Sequence, residues 1–161
     1  MGCSRSSPLM WERLRRFREL EAEARGIFLR AGLMLPLISI SLRMRGFGVT
    51  QGTLQKLFPP PKKETIDSRR YAELTARMVR TAVHHGVGHP SCLEESLAVW
   101  WLLGRRGIAS QLRIGIKKDS PKFEAHAWVE LGGAPLNEPE TPHQHYAAFE
   151  GEISAVPPEQ R

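Results

Sequence analysis

The chain has 161 residues, 41% hydrophobic and 25% charged, with a formal net charge of +6. That is enough chain for one domain with its own core, and the composition excludes a disordered or low-complexity protein. Its two cysteines, Cys3 and Cys92, exclude a disulfide scaffold and fit a reduced, cytoplasmic setting. The excess of arginine lies mainly in the first half, on expected helix faces. Without an aromatic-plus-basic strand motif or a DNA-reading helix pair, it predicts a solvated basic surface and no nucleic-acid partner.

In chain order, residues 7–45 read as helical. Ser7-Pro8 makes a start, Trp11, Leu14, Phe17 and Leu20 form an apolar face, and Ile27, Phe28, Ala31, Met34 and Leu35 continue it. A bend is expected at Pro36 and an end at Gly46 and Gly48, with a short helix over Thr50–Phe58. The N-terminus runs into charged helix with no secretory signal, and its Met1-Gly2-Cys3-Ser4-Arg5-Ser6 is only a short match to an acylation pattern. The apolar run Ala31–Leu42, interrupted by Pro36, is too short to cross a bilayer, so no membrane insertion is expected. Pro59-Pro60-Pro61-Lys62-Lys63 is a stiff polar connector. It divides a helical N-terminal region, 1–60, from the main domain, 61–161, the two expected to form one compact unit.

After the connector, Asp67 can cap a helix with Tyr71, Leu74, Met78, Ala82 and Val83 on one face. A loop holding His84, His85 and His89 then leads to the most informative stretch, Ser91–Gly107. Ser91 and Glu94 form a capping box, which makes Cys92 the first helical residue. Leu93, Leu97, Trp100 and Trp101 lie at helical spacing, with Ala98, Val99, Leu102 and Leu103 filling the remaining circumference. A helix apolar nearly all round is buried. Gly107 stops it after Arg105 and Arg106. A cysteine at the tip of a buried helix meets free backbone N–H groups and the positive end of the dipole, which favour thiolate.

The pattern then changes to strands. Leu112, Ile114 and Ile116 alternate with polar residues, as do Phe123, Ala125, Ala127, Val129 and Leu131. Gly132-Gly133 signals a hairpin turn into a third strand over Ala134–Glu138. The proline-rich tail is expected to be irregular, with at most a short helix near Tyr146–Phe149. The fold class is therefore α+β, a central helix on a small antiparallel sheet behind a helical N-terminal region.

A thiolate at a helix tip needs an imidazole near it, and that imidazole needs an acceptor to orient it. Of six histidines, His126 alone lies on a strand that fixes its direction. The others lack the spacing of a zinc site, so neither metal nor cofactor is expected. The orienting acceptor is Asn137 if the hairpin turn has two residues and Glu138 if it has three. An acid stabilises imidazolium better than an amide does, which favours Glu138. Trp128 reads as a packing residue on the histidine's face.

Cys92-Leu93, Leu102-Leu103-Gly104-Arg105-Arg106-Gly107-Ile108, Leu112-Arg113-Ile114-Gly115-Ile116 and Phe123-x-Ala125-His126-Ala127-Trp128-Val129-Glu130 resemble, in order and spacing, the lasso-peptide biosynthesis B2 family. Members of that family are transglutaminase-like, papain-like cysteine proteases that remove the leader from a lasso precursor. The resemblance is strong over residues 70–140. It implies Cys92 as nucleophile, His126 as base, and Glu138 at the position of the family's aspartate. It also implies three partners: the lasso precursor peptide, a separate leader-recognition protein of the B1 type, and an ATP-dependent lasso cyclase. Transglutaminase-type transfer to an amine, or a non-catalytic leader-binding scaffold, are the alternatives to hydrolysis.

Overall fold

The computed structural model describes residues 21–61, 65–86, 89–117, 125–137, 146–148 and 153–154. The expected helix start at Ser7-Pro8, the face from Trp11 to Leu20, and Glu138 lie outside these residues.

Helix α1, Ala22–Gln55, presents Ala24, Ile27, Ala31, Leu35 and Ile38 to the core at three- and four-residue spacing. It runs through Pro36, the expected bend. The helical geometry fails at Gly46, where the end was expected, at φ 76° and ψ 176°, a backbone region that favours glycine. Thr50 answers the break: its Oγ1 donates to the Gly46 carbonyl at 2.8 Å and lies 2.8 Å from Ser41 Oγ. A second helical segment then runs to Gln55, so the end expected at Gly46 and the short helix after it are both present, joined across a kink. By length and composition α1 could cross a membrane, with a mean hydropathy of 1.6 over its most apolar window. The expectation of a run too short for that rested on twelve residues of this longer helix.

Helix α2, Ile66–His85, starts two residues earlier than expected. Its cap is Thr65, whose Oγ1 accepts from the Ser68 N–H at 3.2 Å, with Asp67 inside the first turn. Tyr71, Ala72, Thr75, Ala76, Met78, Val79 and Ala82 are buried on it. Leu74 and Val83, expected on this face, are only partly buried.

Helix α3, Cys92–Arg105, lies between these helices and the sheet. Both halves of its capping box are made: the Ser91 N–H donates to Glu94 Oε2 at 2.5 Å, and the Glu94 N–H donates to Ser91 Oγ at 3.4 Å. Its other end closes as a Schellman motif. Gly107 adopts φ 74°, the Ile108 N–H donates to Leu103 O at 3.1 Å, and the Gly107 N–H donates to Gly104 O at 2.9 Å. Leu97, Ala98, Val99, Trp100 and Leu103 are fully buried, and each large side chain among them contributes about 1.5–3 kcal/mol. Phe58, just past α1, meets Trp100 edge-on at 4.9 Å. Its ring also lies over Gly104, where an added Cβ would come within 2.3 Å of it. Arg106 ties this end down further, pairing with Glu23 at 2.9 Å and covering the Tyr71 ring at 4.2 Å.

The sheet is antiparallel, in the order β3-β2-β1-β4, with β5 also on β1. Its strands are β1, Gln111–Lys117; β2, Ala125–Leu131; β3, Ala134–Pro135; β4, Tyr146–Ala148; and β5, Ile153–Ser154. Two expectations are corrected here. The third strand stops at Pro135, and the segment expected to be irregular or helical around Tyr146 is a strand paired to β1. Leu112, Val129 and Leu131 complete the core that the three helices share. The architecture is the α+β arrangement expected.

Candidate active site

The capping box places Cys92 at the first turn of α3, and the sheet register places His126 near the start of β2, opposite Gly115. Packing of α3 on β2 brings the two together. The half-buried Cys92 is a free thiol, held below its ordinary range. The hydrogen bond from the His126 side chain is the main cause, and burial opposes it. Backbone hydrogen bonds at Ala127 and Leu93 and the charge of His126 add to the lowering. One side chain thus receives an imidazole, two backbone donors and a helix N-terminus, the conditions that turn a thiol into a nucleophile at neutral pH. Glu94 is also held low. Burial pushes it up, but Ser39, Ser91 and Arg43 outweigh that, so the cap stays an anion where the helix start favours one.

Of the two residues expected to orient His126, Glu138 lies outside the described residues, and the structure shows the turn and Asn137. The hairpin turn is Gly132-Gly133, with φ 56° and 79° and Leu131 facing Ala134. It is the two-residue kind, whose central residues both need positive φ. This corrects the three-residue register that favoured Glu138. Straight continuation would then carry Asn137 onto the histidine's face, but the chain bends after Pro135. Asn137 is buried with its amide turned to the opposite side, Oδ1 accepting from the Val129 N–H at 2.8 Å and Nδ2 donating to Ser96 Oγ at 3.0 Å. Ser96 Oγ donates on to Ala127 O at 2.9 Å, and Arg80 donates to the Asn137 carbonyl. Asn137 therefore clamps β2 to α3 and is not brought to His126.

Of the residues near the pair, Trp128 and Glu130 were expected on the histidine's face, able to line the cleft, and Tyr146 was not singled out. Tyr146 on β4 has its ring 5.0 Å from the His126 ring. Trp128 stacks on His126 at 6.2 Å and is fully buried, which agrees with its reading as a packing residue. Its Nε1 donates to Glu130 Oε1 at 2.6 Å, and Glu130 Oε2 accepts from Arg113 Nε at 3.2 Å. An available signal was the Trp-x-Glu spacing, which puts donor and acceptor on one strand face. Among the described residues, no group of three or more His, Cys, Asp or Glu side chains could hold a metal ion.

A half-buried, imidazole-paired thiol at the N-terminus of a central helix packed on an antiparallel sheet defines a thiol-nucleophile scaffold of the transglutaminase-like kind. A family model described as the Transglutaminase-like superfamily matches residues 34–150, and the chain belongs to that superfamily, which includes cysteine-based acyltransferases and proteases. No curated protein and no solved structure matches the chain.

Proposed function

We propose that the protein is a cysteine peptidase that removes the leader peptide from a lasso-peptide precursor. The observation that carries the chemistry is the Cys92 thiol, lowered by its hydrogen bond to His126 at a capped helix N-terminus. The resemblance of the Cys92, Arg105-Arg106-Gly107-Ile108 and His126-Ala127-Trp128 segments to the lasso B2 family supports the substrate.

In this reading Cys92 Sγ attacks the carbonyl carbon at the leader–core junction, and the Cys92 backbone N–H supports the developing oxyanion. The His126 imidazolium gives its proton to the core's amide nitrogen, the C–N bond breaks, and the leader remains as a thioester on Cys92. Neutral His126 then takes a proton from water, which attacks the thioester and releases the leader as a free acid with the thiol restored. Glu138 is proposed as the carboxylate that orients His126. Its support is its charge and its place opposite the family's aspartate.

The freed core amine is what an ATP-dependent cyclase would join to a side-chain carboxylate. A separate leader-recognition protein is proposed to deliver the precursor. Its docking place is supported by an uncovered apolar stripe on α1, Leu29, Leu33, Leu37, Ile40 and Met44, between 50% and 80% exposed. A stripe at helical spacing opposite the buried face marks an interaction surface. A lowered free thiol also favours a reduced compartment, so the protein is proposed to be cytoplasmic.

The test is mass spectrometry of precursor incubated with the protein, its Cys92→Ala variant, and a primary amine. The reading requires a leader ending in a free acid, absent with Cys92→Ala. A leader capped by the amine would make the protein a transglutaminase, and full cleavage by Cys92→Ala would end the proposal.

A further inference from the structure

The catalytic steps use Cys92 and His126 and leave most of the histidine's face of the sheet without a role. By register that face carries His126, Trp128 and Glu130 on β2, Gln111, Arg113, Gly115 and Lys117 on β1, and Tyr146 on β4. The titratable and charged groups among the described residues on this side are thus Glu130, Arg113, Lys117 and Tyr146, with Cys92 arriving from α3.

Trp128 is 0% exposed and Glu130 is 2% exposed. Burying a carboxylate is costly, and apolar side chains of similar volume would hold two strands together equally well. The specific result of this buried charge is a fixed indole. Glu130 accepts from Trp128 Nε1 at 2.6 Å and is itself held by Arg113 Nε at 3.2 Å, with Arg113 donating onward to Gln111 Oε1 at 2.9 Å. A charged acceptor this close locks the indole plane. That plane lies 18° from the His126 ring, at a centroid distance of 6.2 Å.

The second wall comes from β4. Tyr146 belongs to a strand that does not pair with β2, yet its ring lies 5.0 Å from His126 at 31°. Between them in register stands Gly115, which faces His126 on one side and Ala148 on the other. Any larger residue at 115 would project its side chain on this face, beside His126. The geometry points to a positioning frame: Trp128, anchored by buried Glu130, and Tyr146, reaching across Gly115, hold the His126 ring in the plane from which it meets the Cys92 sulfur. These residues act through His126. The inference rests on the Cys92–His126 pair and not on the substrate.

The experiment is therefore free of substrate. In a Cys3→Ser background, the rate of Cys92 alkylation by iodoacetamide is followed from about pH 5 to 10, since only the thiolate reacts. His126→Ala sets the reference, its midpoint rising toward the free-thiol value of about 8.5. Tyr146→Ala and Glu130→Ala are expected to fall between wild type and this reference, slowing alkylation at about pH 6 by three- to tenfold, where tenfold corresponds to a midpoint shift of about one pH unit. Tyr146→Phe, which keeps the ring, and Glu130→Gln, which still accepts from the indole, are expected to restore most of the rate. Should Glu130→Ala fail to fold, the Tyr146 pair alone decides. Wild-type midpoints in the alanine variants would overturn the frame, and so would a Tyr146→Phe variant as impaired as Tyr146→Ala. Neither outcome depends on whether the protein cleaves peptides.

Discussion

The two faces of β2 are both buried from Ala127 to Leu131, but they are buried for different ends. One face, with Val129 and Leu131, joins the shared core and is fastened to α3 through Ser96 and Asn137. The other carries His126, Trp128 and Glu130 in an aromatic and charged array beside the thiol. The first face holds the fold and the second is the one proposed to serve the chemistry, so substitutions on the two should separate stability from activity.

The largest effect tests that separation at its extreme. Cys92→Ala should abolish leader removal and leave the melting temperature within a few degrees of wild type, since a half-buried helix-tip side chain fills little core. Peptide cleavage followed with differential scanning fluorimetry checks both halves. The wild-type pH profile sharpens the comparison: because the Cys92 thiol is lowered, alkylation should persist well below the free-thiol range near pH 8.5 and fade only as the lowered group protonates.

Next come the neighbours Asn137 and Glu138. Glu138→Gln should reduce steady-state cleavage by about ten- to a thousandfold, less than the ten-thousandfold of the analogous change in serine proteases because a helix-tip thiol needs less help. Asn137→Ala should act on stability instead. It strands the Val129 N–H and removes the partner of Ser96, at about 1–3 kcal/mol for a buried group left unsatisfied. Urea denaturation of both variants decides between them. A stable but inactive Asn137→Ala would put the two faces in the wrong roles.

The smallest effect lies farthest from the site. Gly104→Ala forces the Phe58 ring off α3, and overpacking of this kind costs about 1–3 kcal/mol. Because it loosens only the helix–helix side, thermal stability should fall while alkylation of Cys92 stays unchanged. A matching loss of alkylation would mean that the two sides of α3 are not independent.

Much of this was legible in the sequence because it is local. The capping box, the glycine stop at Gly107 and the alternation of β1 and β2 each follow from residues a few positions apart. What failed was non-local. Alternation places Trp128 and Glu130 on the histidine's face, but that they satisfy one another in the interior depends on what packs against that face. The tail gave no strand signal, since Tyr146–Ala148 gains its conformation by pairing with β1. The turn could not be assigned before its two positive φ values were known, and the Asn137 bend depends on Ser96, a helix away.

The meeting of Cys92 with His126 also has a temporal side. The thiol belongs to a helix that emerges from synthesis before the histidine's strand exists, and at ordinary elongation rates the interval is on the order of seconds. Through that interval the cysteine has the helix tip but no imidazole, and it gains its main ionising partner only when β2 docks. The thiol is thus ionised by the completion of a long-range contact, one of the slower steps in building such a topology. A nascent or misassembled chain carries a comparatively unreactive thiol.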